Sequence, residues 1–110
     1  MTGDQLTDAL AVRVMEWRLA PGRYLKSGRQ WAPCWHFQPL YRLEHALQLL
    51  EKAADTYSLK RNAEGIFEAR VSVGGCAGNA LGTSPATAIT VAIARAVGID
   101  APNELLEERR

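Results

Sequence analysis

The sequence of 110 residues has no long apolar run, and it contains only two cysteines. A membrane-spanning helix needs about 18–20 consecutive apolar residues, so the sequence predicts no membrane helix. Cys34 and Cys76 are too few for a disulfide framework, and free thiols are typical of a reducing compartment. The N-terminal residues also lack the charged and then apolar pattern of a secretion signal. We therefore expect a cytoplasmic protein with no membrane segment.

Acidic residues are missing from one stretch in particular, between Trp17 and Leu43. This stretch carries five basic residues: Arg18, Arg23, Lys26, Arg29 and Arg42. The rest of the chain carries eight basic and twelve acidic residues, so the net charge of +1 hides an uneven distribution. Such a charge block usually forms a solvated face. The alternative is a surface that contacts nucleic acid, nucleotide or an acidic partner.

Apolar spacing predicts three helices, over about 4–16, 41–56 and 85–97. In the second helix, the stripe that should face the core consists of Leu43, Ala46, Leu47, Leu50 and Ala54. The residues between helices two and three predict strands at about 57–62 and 66–73, joined by a hairpin turn at Asn62–Gly65. A further short strand is expected around 79–82.

Residues 17–37 contain all three tryptophans and several turn signals. This composition predicts one or two short strands with a hairpin turn near Ser27 and Gly28. Hairpins and separate helices favour an α+β fold, with a small and mostly antiparallel sheet and about three helices. We expect a single domain over residues 1–98. The tail, residues 99–110, is expected either to add a short helix or to fray.

A glycine-rich segment, residues 74–84, precedes the third helix. Gly74, Gly75 and Gly78 allow tight turns, and Ser84 followed by Pro85 is typical of a helix start. Free N–H groups at such a start can hold phosphate. The glycine spacing matches neither the Walker loop nor the dinucleotide fingerprint. A structural turn and cap is therefore the first interpretation, and an anion or nucleotide site is the second.

The third helix, 85–97, has only one charged residue, Arg95, and its apolar residues occupy more than one face. A helix of this kind must be covered on several sides. Either the first helix or a second copy of the chain would have to cover it. The second case predicts a homo-oligomer through residues 85–97.

Three segments resemble one known family. Val12–Trp17 is similar to the V-M-G-W signature of the phage ABA sandwich domain proteins, which are small phage and prophage products. The amphipathic helix 43–50 and the segment Thr83–Ile89, which resembles the start of T-x-P-x-A-I-x-x-A-x-x-A with one extra residue before Ala88, follow in the same order. The resemblance extends over about residues 4–98. Glu16 stands where the family commonly has glycine, and His36–Pro39 replaces the serine and aspartate that usually open the middle helix.

The resemblance implies an α/β/α sandwich and a phage or prophage origin, and hence the cytoplasm of a bacterial host. It implies no activity and supplies no catalytic residues. Two function classes stay open. The first is a non-enzymatic accessory protein that binds a macromolecule or self-associates. The second is nucleotide or nucleic-acid binding through the basic aromatic segment 18–35 and the glycine-rich segment, because aromatic rings can stack on bases while cations contact phosphate.

The candidate ligand-binding residues of these two segments are Arg23, Lys26, Arg29, Trp31, Trp35, Gly74, Gly75, Gly78 and Ser84. No catalytic residue, metal ligand or cofactor is predicted. Cys34 and His36 lack the second ligand pair of a zinc site. Cys76 has no histidine that the sequence fixes beside it, so a nucleophilic role is disfavoured.

Overall fold

A computed structural model describes residues 3–26, 30–33 and 36–99. The described elements, in chain order, are α1 (Gly3–Arg13), β1 (Arg18–Ala20), β2 (Arg23–Leu25), β3 (Trp31–Pro33), α2 (Leu43–Ala53), β4 (Thr56–Arg61), β5 (Phe67–Val73), β6 (Cys76–Gly82) and α3 (Pro85–Ala96). The strands form two antiparallel sheets of three, an N-terminal sheet of order β1-β2-β3 and a C-terminal sheet of order β4-β5-β6. The predicted α+β sandwich is confirmed, with its strands divided between two sheets.

The C-terminal sheet is built from two hairpins. At the first turn, the Asn62 side chain accepts hydrogen bonds from the backbone N–H groups of Glu64 and Ile66, and Gly65 adopts a positive φ of 83°. The alternation predicted for 66–73 is confirmed, because Ala69 and Val71 of β5 are buried. The last strand is longer than the predicted 79–82, since β6 begins at Cys76.

Helix α3 is the most buried element of the described chain. The Ser84 hydroxyl accepts from the Thr87 backbone N–H, and Pro85 occupies the first turn, so the predicted helix start is confirmed. Ten of its twelve residues are buried. It packs on β5 and β6 along one side and on α2 along another. Because this chain itself covers α3, its apolar composition no longer argues for a second copy at residues 85–97.

Helix α2 begins at Leu43 and ends at Ala53, which makes it shorter at both ends than the predicted 41–56. Arg42 precedes it without a side-chain cap. The buried residues are Ala46, Leu49 and Leu50, whereas Leu43 and Leu47 are about two-fifths exposed. Of the stripe predicted from the sequence, Ala46 and Leu50 are therefore buried as expected, whereas Leu43 and Leu47 are exposed and Leu49 takes part in the core instead.

Helix α1 ends at Arg13, three residues before the predicted end, and the chain then turns at Glu16 with a φ of 62°. Turn residues Pro21 and Gly22 join β1 to β2, so this region contains three short strands where one or two were predicted. The hairpin turn predicted at Ser27 and Gly28 lies outside the described residues, as does the tail beyond Ile99.

Two buried hydroxyl groups fasten α3 to the segment before α2. Thr90 Oγ1 donates to the Pro39 carbonyl at 2.8 Å, and Thr87 Oγ1 donates to the Leu40 carbonyl at 2.8 Å. Both threonines are buried, so each hydrogen bond satisfies groups that water does not reach. These bonds hold the Pro39–Leu40 segment against α3.

Candidate nucleic-acid interface

The outer face of the N-terminal sheet combines cations with an exposed tryptophan. The strand register places Arg18, Leu25 and Trp31 side by side in one row. Arg23 lies two rows along, opposite Ala20 and Pro33, and faces the same way because its sequence position differs by two from Leu25. The basic aromatic face is defined here as Arg18, Arg23, Leu25 and Trp31.

Arg23 and Trp31 are in direct contact on this face. The guanidinium carbon of Arg23 lies 5.6 Å from the centroid of the Trp31 ring, within the range of a cation–π interaction. Trp31 is 56% exposed, so a large part of the ring still faces solvent. An arginine paired with an exposed aromatic ring can contact a phosphate and a base at the same time.

The opposite face of the sheet is anchored in the core. Tyr24 is 1% exposed, and its hydroxyl donates to Asp8 Oδ1 of α1 at 2.7 Å. Its ring lies 5.7 Å from Trp17 and 6.1 Å from Phe37, centroid to centroid. Since alternate residues of a strand point to opposite faces, burying Tyr24 holds Arg23 and Leu25 outward.

The Lys26 side chain contacts Trp17, although the sequence grouped it with Arg23 and Trp31. Its Nζ lies 5.0 Å from the Trp17 ring centroid, and its backbone N–H donates to the Gln30 carbonyl at 2.9 Å. Trp17 packs against the core cluster, so Lys26 covers a structural ring and does not join the pair of Arg23 and Trp31. The predicted site residues Arg29 and Trp35 lie outside the described residues.

Arg18 is a member of the face that was not among the predicted site residues. It lies directly across from Leu25, which in turn lies across from Trp31. The alternation of the short strands could have identified it, because Arg18 and Ala20 share one face of β1. The sequence did not show which strands pair, and therefore did not show that Arg18 and Trp31 share a row.

The glycine-rich segment is divided between three places in the fold. Gly74 and Gly75 form the tight turn between β5 and β6, with φ values of 57° and 85°. Gly78 lies in the middle of β6, and Ser84 caps α3 beyond the end of that strand. A strand of seven residues is about 23 Å long at ~3.3 Å per residue, so the turn and the cap cannot hold one phosphate.

Each part of the segment also has a structural partner. The Gly74 N–H donates to Asp55 Oδ2 at 2.9 Å, so a carboxylate of this chain already occupies the position of an anion. Gly78 packs so closely on α3 that a β-carbon there would overlap the Ala92 carbonyl oxygen. Ser84 Oγ is bonded to Thr87. The first interpretation, a turn and a cap, therefore accounts for this segment, and the structure does not join it to the basic aromatic face.

The histidines and Cys76 form no site in the described chain. His45 Nδ1 accepts from the Gln38 backbone N–H at 2.9 Å, and burial lowers the pKa of this imidazole below its usual 6.5. Cys76 is exposed at the start of β6. Among the residues that the structure describes, no three side chains of the metal-binding types are clustered.

A second surface, which the sequence did not indicate, is a shallow groove on the outer face of the C-terminal sheet. It encloses about 640 Å³. Its polar lining includes Ser58, Arg70, Ser72 and Asn79. Glu68 Oε2 lies 3.0 Å from both Nε and Nη2 of Arg70, so the one guanidinium of the groove is already paired.

The architecture is that of an α+β sandwich found in a solved phage protein. A crystal structure at 2.0 Å of a phage protein from Bacillus cereus ATCC 14579 has the same fold, with a TM-score of 0.75 over 93% of both chains and 17% sequence identity. No protein-family model matches the chain, and no curated protein is similar to it at a significant level. In residues 3–26, 30–33 and 36–99, none of the helices has the length and apolarity needed to cross a membrane.

Proposed function

We propose that this protein is a non-enzymatic accessory protein of phage or prophage origin that binds single-stranded nucleic acid through its basic aromatic face. The observation that carries the proposal is the contact between Arg23 and the exposed Trp31 on the outside of a sheet. Strand faces with outward aromatic rings are suitable stacking surfaces, because every base has a π-face.

The surrounding charge supports the same function. Arg18 and Arg23 are exposed on this face, and no acidic residue occurs in the sequence between Trp17 and Leu43. A surface with cations and without carboxylates attracts a polyanion and gains affinity by releasing the counterions of the phosphates. A purely solvated basic face needs no exposed tryptophan, since exposure of a large ring has a cost in free energy.

The phage origin rests on two independent similarities. The sequence resembles the phage ABA sandwich domain family, and the fold is shared with the phage protein from Bacillus cereus. We propose membership of that family and a place in the cytoplasm of the bacterial host. A binding role without catalysis is consistent with the engagement of His45, Arg70 and Asp55 in internal contacts.

Fluorescence anisotropy with a labelled oligothymidine tests the binding proposal. We expect Trp31→Ala to weaken binding about 5- to 150-fold, since stacking on one aromatic ring contributes ~1–3 kcal/mol per base. Trp31→Phe should restore much of the affinity. Arg23→Ala should also lower the slope of log affinity against log salt by about 0.7, the value for one phosphate contact on a single strand.

Matched controls come from the C-terminal sheet. Arg70→Ala removes a cation, and Leu81→Ala removes an exposed apolar side chain, both away from the basic aromatic face. These two variants should bind as the unmodified protein does. If the unmodified protein leaves the anisotropy unchanged, or if all variants bind equally, the proposed function is wrong.

A further inference from the structure

A chain of contacting rings connects the basic aromatic face with a histidine. Tyr24, which anchors β2 in the core, packs edge-on against Phe37, with ring centroids 6.1 Å apart. Phe37 in turn stacks on His45 in the first turn of α2, with centroids 5.8 Å apart and ring planes at 30°. Tyr24 and Phe37 are both buried. The strand that carries the face and the His45 imidazole are therefore joined through two buried rings.

One hydrogen bond fixes Phe37 in this position. The backbone N–H of Gln38, the next residue, donates to His45 Nδ1 at 2.9 Å. Only a neutral imidazole with its hydrogen on Nε2 offers a lone pair at Nδ1. A protonated His45 carries hydrogen on both ring nitrogens, so it turns one N–H toward another and the bond is lost. A backbone N–H without an acceptor is unfavourable in this partly buried position.

We propose that protonation of His45 removes the packing support of the basic aromatic face, so that the protein holds single-stranded nucleic acid at neutral pH and releases it in mild acid. The inference rests on the proposed function, because it concerns the regulation of the same face. The proton comes from solvent and binds at Nδ1, and no covalent bond of the chain changes. In the protonated state Phe37 loses its fixed position, and Tyr24 loses the ring that packs against it.

The groups around His45 favour its neutral form in the folded protein. Arg42 and Glu44 belong to the start of α2, and His36 comes from the preceding segment, with its ring centroid 6.3 Å from that of His45. Burial lowers the pKa of His45, Arg42 and His36 lower it further, and Glu44 opposes the shift. A proton that binds at this position therefore acts against the native packing.

The N-terminal sheet presents rings to this imidazole. Phe37 lies between it and Tyr24, whose hydroxyl donates to Asp8 of α1. Lys26 lies over the ring of Trp17, which also packs on Phe37. The charged groups that contact this aromatic layer are therefore engaged with its other rings. The change at the imidazole reaches β2 through ring packing.

The sign of the effect separates the proposal from simple electrostatics. Mild acid adds a positive charge at each of the two histidines to a net charge of +1. A more cationic protein binds a polyanion more tightly. Arginines, phosphodiesters and thymine keep their charge between about pH 7.5 and about pH 5.5. A loss of affinity in mild acid is therefore the opposite of what the added charge alone produces.

Anisotropy of a labelled oligothymidine at about pH 7.5 and about pH 5.5 tests the release. We expect the unmodified protein to bind at least about fivefold more weakly at the lower pH, the lower end of the usual coupling between two sites. His45→Asn keeps an acceptor for the Gln38 N–H and does not titrate, so it should bind no more weakly in acid. His36→Asn is the matched control and should keep the full loss. Circular dichroism at both pH values checks that each variant is folded.

Nuclear magnetic resonance without nucleic acid tests the coupling separately. The imidazole signals of His45 give its pKa, and the amide signals of Gln38 and Tyr24 should shift with the same midpoint. The Ala69 amide in the C-terminal sheet is the control and should not follow. Because linkage is reciprocal, saturating oligothymidine should lower the pKa of His45 by at least about 0.7, which corresponds to the fivefold change in affinity.

The outcomes distinguish this inference from the proposed function. If the unmodified protein gives no anisotropy change at about pH 7.5, the proposed function is wrong, and the midpoints of the amide signals decide whether His45 controls the sheet. If binding is present and is equal or stronger in acid, the release is wrong and the nucleic-acid function stands. A His45→Asn protein that loses affinity as the unmodified one does, or a Tyr24 amide that does not follow His45, overturns the coupling.

Discussion

Gly78 of β6 packs directly against the backbone of Ala92 in α3. The strand and the helix approach so closely at this point that a β-carbon would overlap the Ala92 carbonyl oxygen and the Ala96 backbone nitrogen. Here the glycine serves helix-on-sheet packing, although a glycine-rich sequence before a helix also occurs in phosphate sites.

We expect Gly78→Ala to destabilise the protein by about 1–3 kcal/mol or more, because the added methyl group must displace backbone atoms. The measurement is the free energy of unfolding in urea. Ala77→Val is a suitable control, since Ala77 is exposed on the other face of the same strand. An equal effect of both substitutions would contradict the close packing.

Glu16 has a φ of 62°, a conformation that costs a residue with a β-carbon about 1 kcal/mol relative to glycine. We therefore expect Glu16→Gly to raise the free energy of unfolding by up to about 1 kcal/mol. The opposite change is expected for Glu16→Val, because a branched β-carbon is least tolerated there. Thermal unfolding of the two variants distinguishes them. A more stable valine variant would contradict the turn geometry.

Thr90→Val tests the buried bond to the Pro39 carbonyl. The substitution keeps the shape of the side chain and leaves the carbonyl oxygen without its donor, which costs about 1–3 kcal/mol. The control is Thr83→Val at an exposed position, expected to change stability by no more than about 0.5 kcal/mol. Denaturant unfolding gives both values, and a stable Thr90→Val protein would show that this bond contributes little.

The imidazole of His45 gives a pH dependence of stability. Its pKa is lowered in the folded protein, mainly by burial and further by Arg42 and His36, while Glu44 opposes the shift. The unfolded chain therefore binds a proton more readily than the folded one. The resulting stabilisation is complete above the unfolded pKa near 6.5 and is lost as the pH falls through the folded pKa.

We accordingly expect the melting temperature to fall between about pH 7 and pH 5, and we expect His45→Asn to reduce this fall. Asparagine can still accept the Gln38 N–H but does not titrate. His36→Asn is the matched control, because it removes the other histidine and keeps the bond from Gln38. If His45→Asn preserves the full pH dependence, another group is responsible.

The elements with strong local signals could be predicted from the sequence, and the contacts between them could not. Ser84 and Pro85 mark the start of α3, and Asn62–Gly65 marks a hairpin, because capping and turn chemistry are local. The glycines at 74, 75 and 78 have the same local signal as a loop. Residues 76–82 form a strand because they pair with β5 and pack under α3. Neither contact can be inferred from a short stretch of sequence.

The same limit applies to the candidate site. Arg23 and Trp31 were predicted as site residues from composition, and the structure places them in contact. Lys26 was predicted beside them, but its side chain turns to Trp17. The alternation of faces accounts for this difference, because Lys26 follows Leu25 and so lies on the side of Tyr24, where the Trp17 ring packs.

In both sheets, each strand pairs only with strands next to it in the chain. Neither sheet therefore requires the closure of a long loop, and the entropy lost in forming each is small. The slow step in folding should be the docking of α3 on the Pro39–Leu40 segment. The reason is that Thr90 and Thr87 of α3 bond to residues that precede them in the chain by 51 and 47 positions. The order of assembly follows from this: local meanders first, and the docking of α3 on the Pro39–Leu40 segment last.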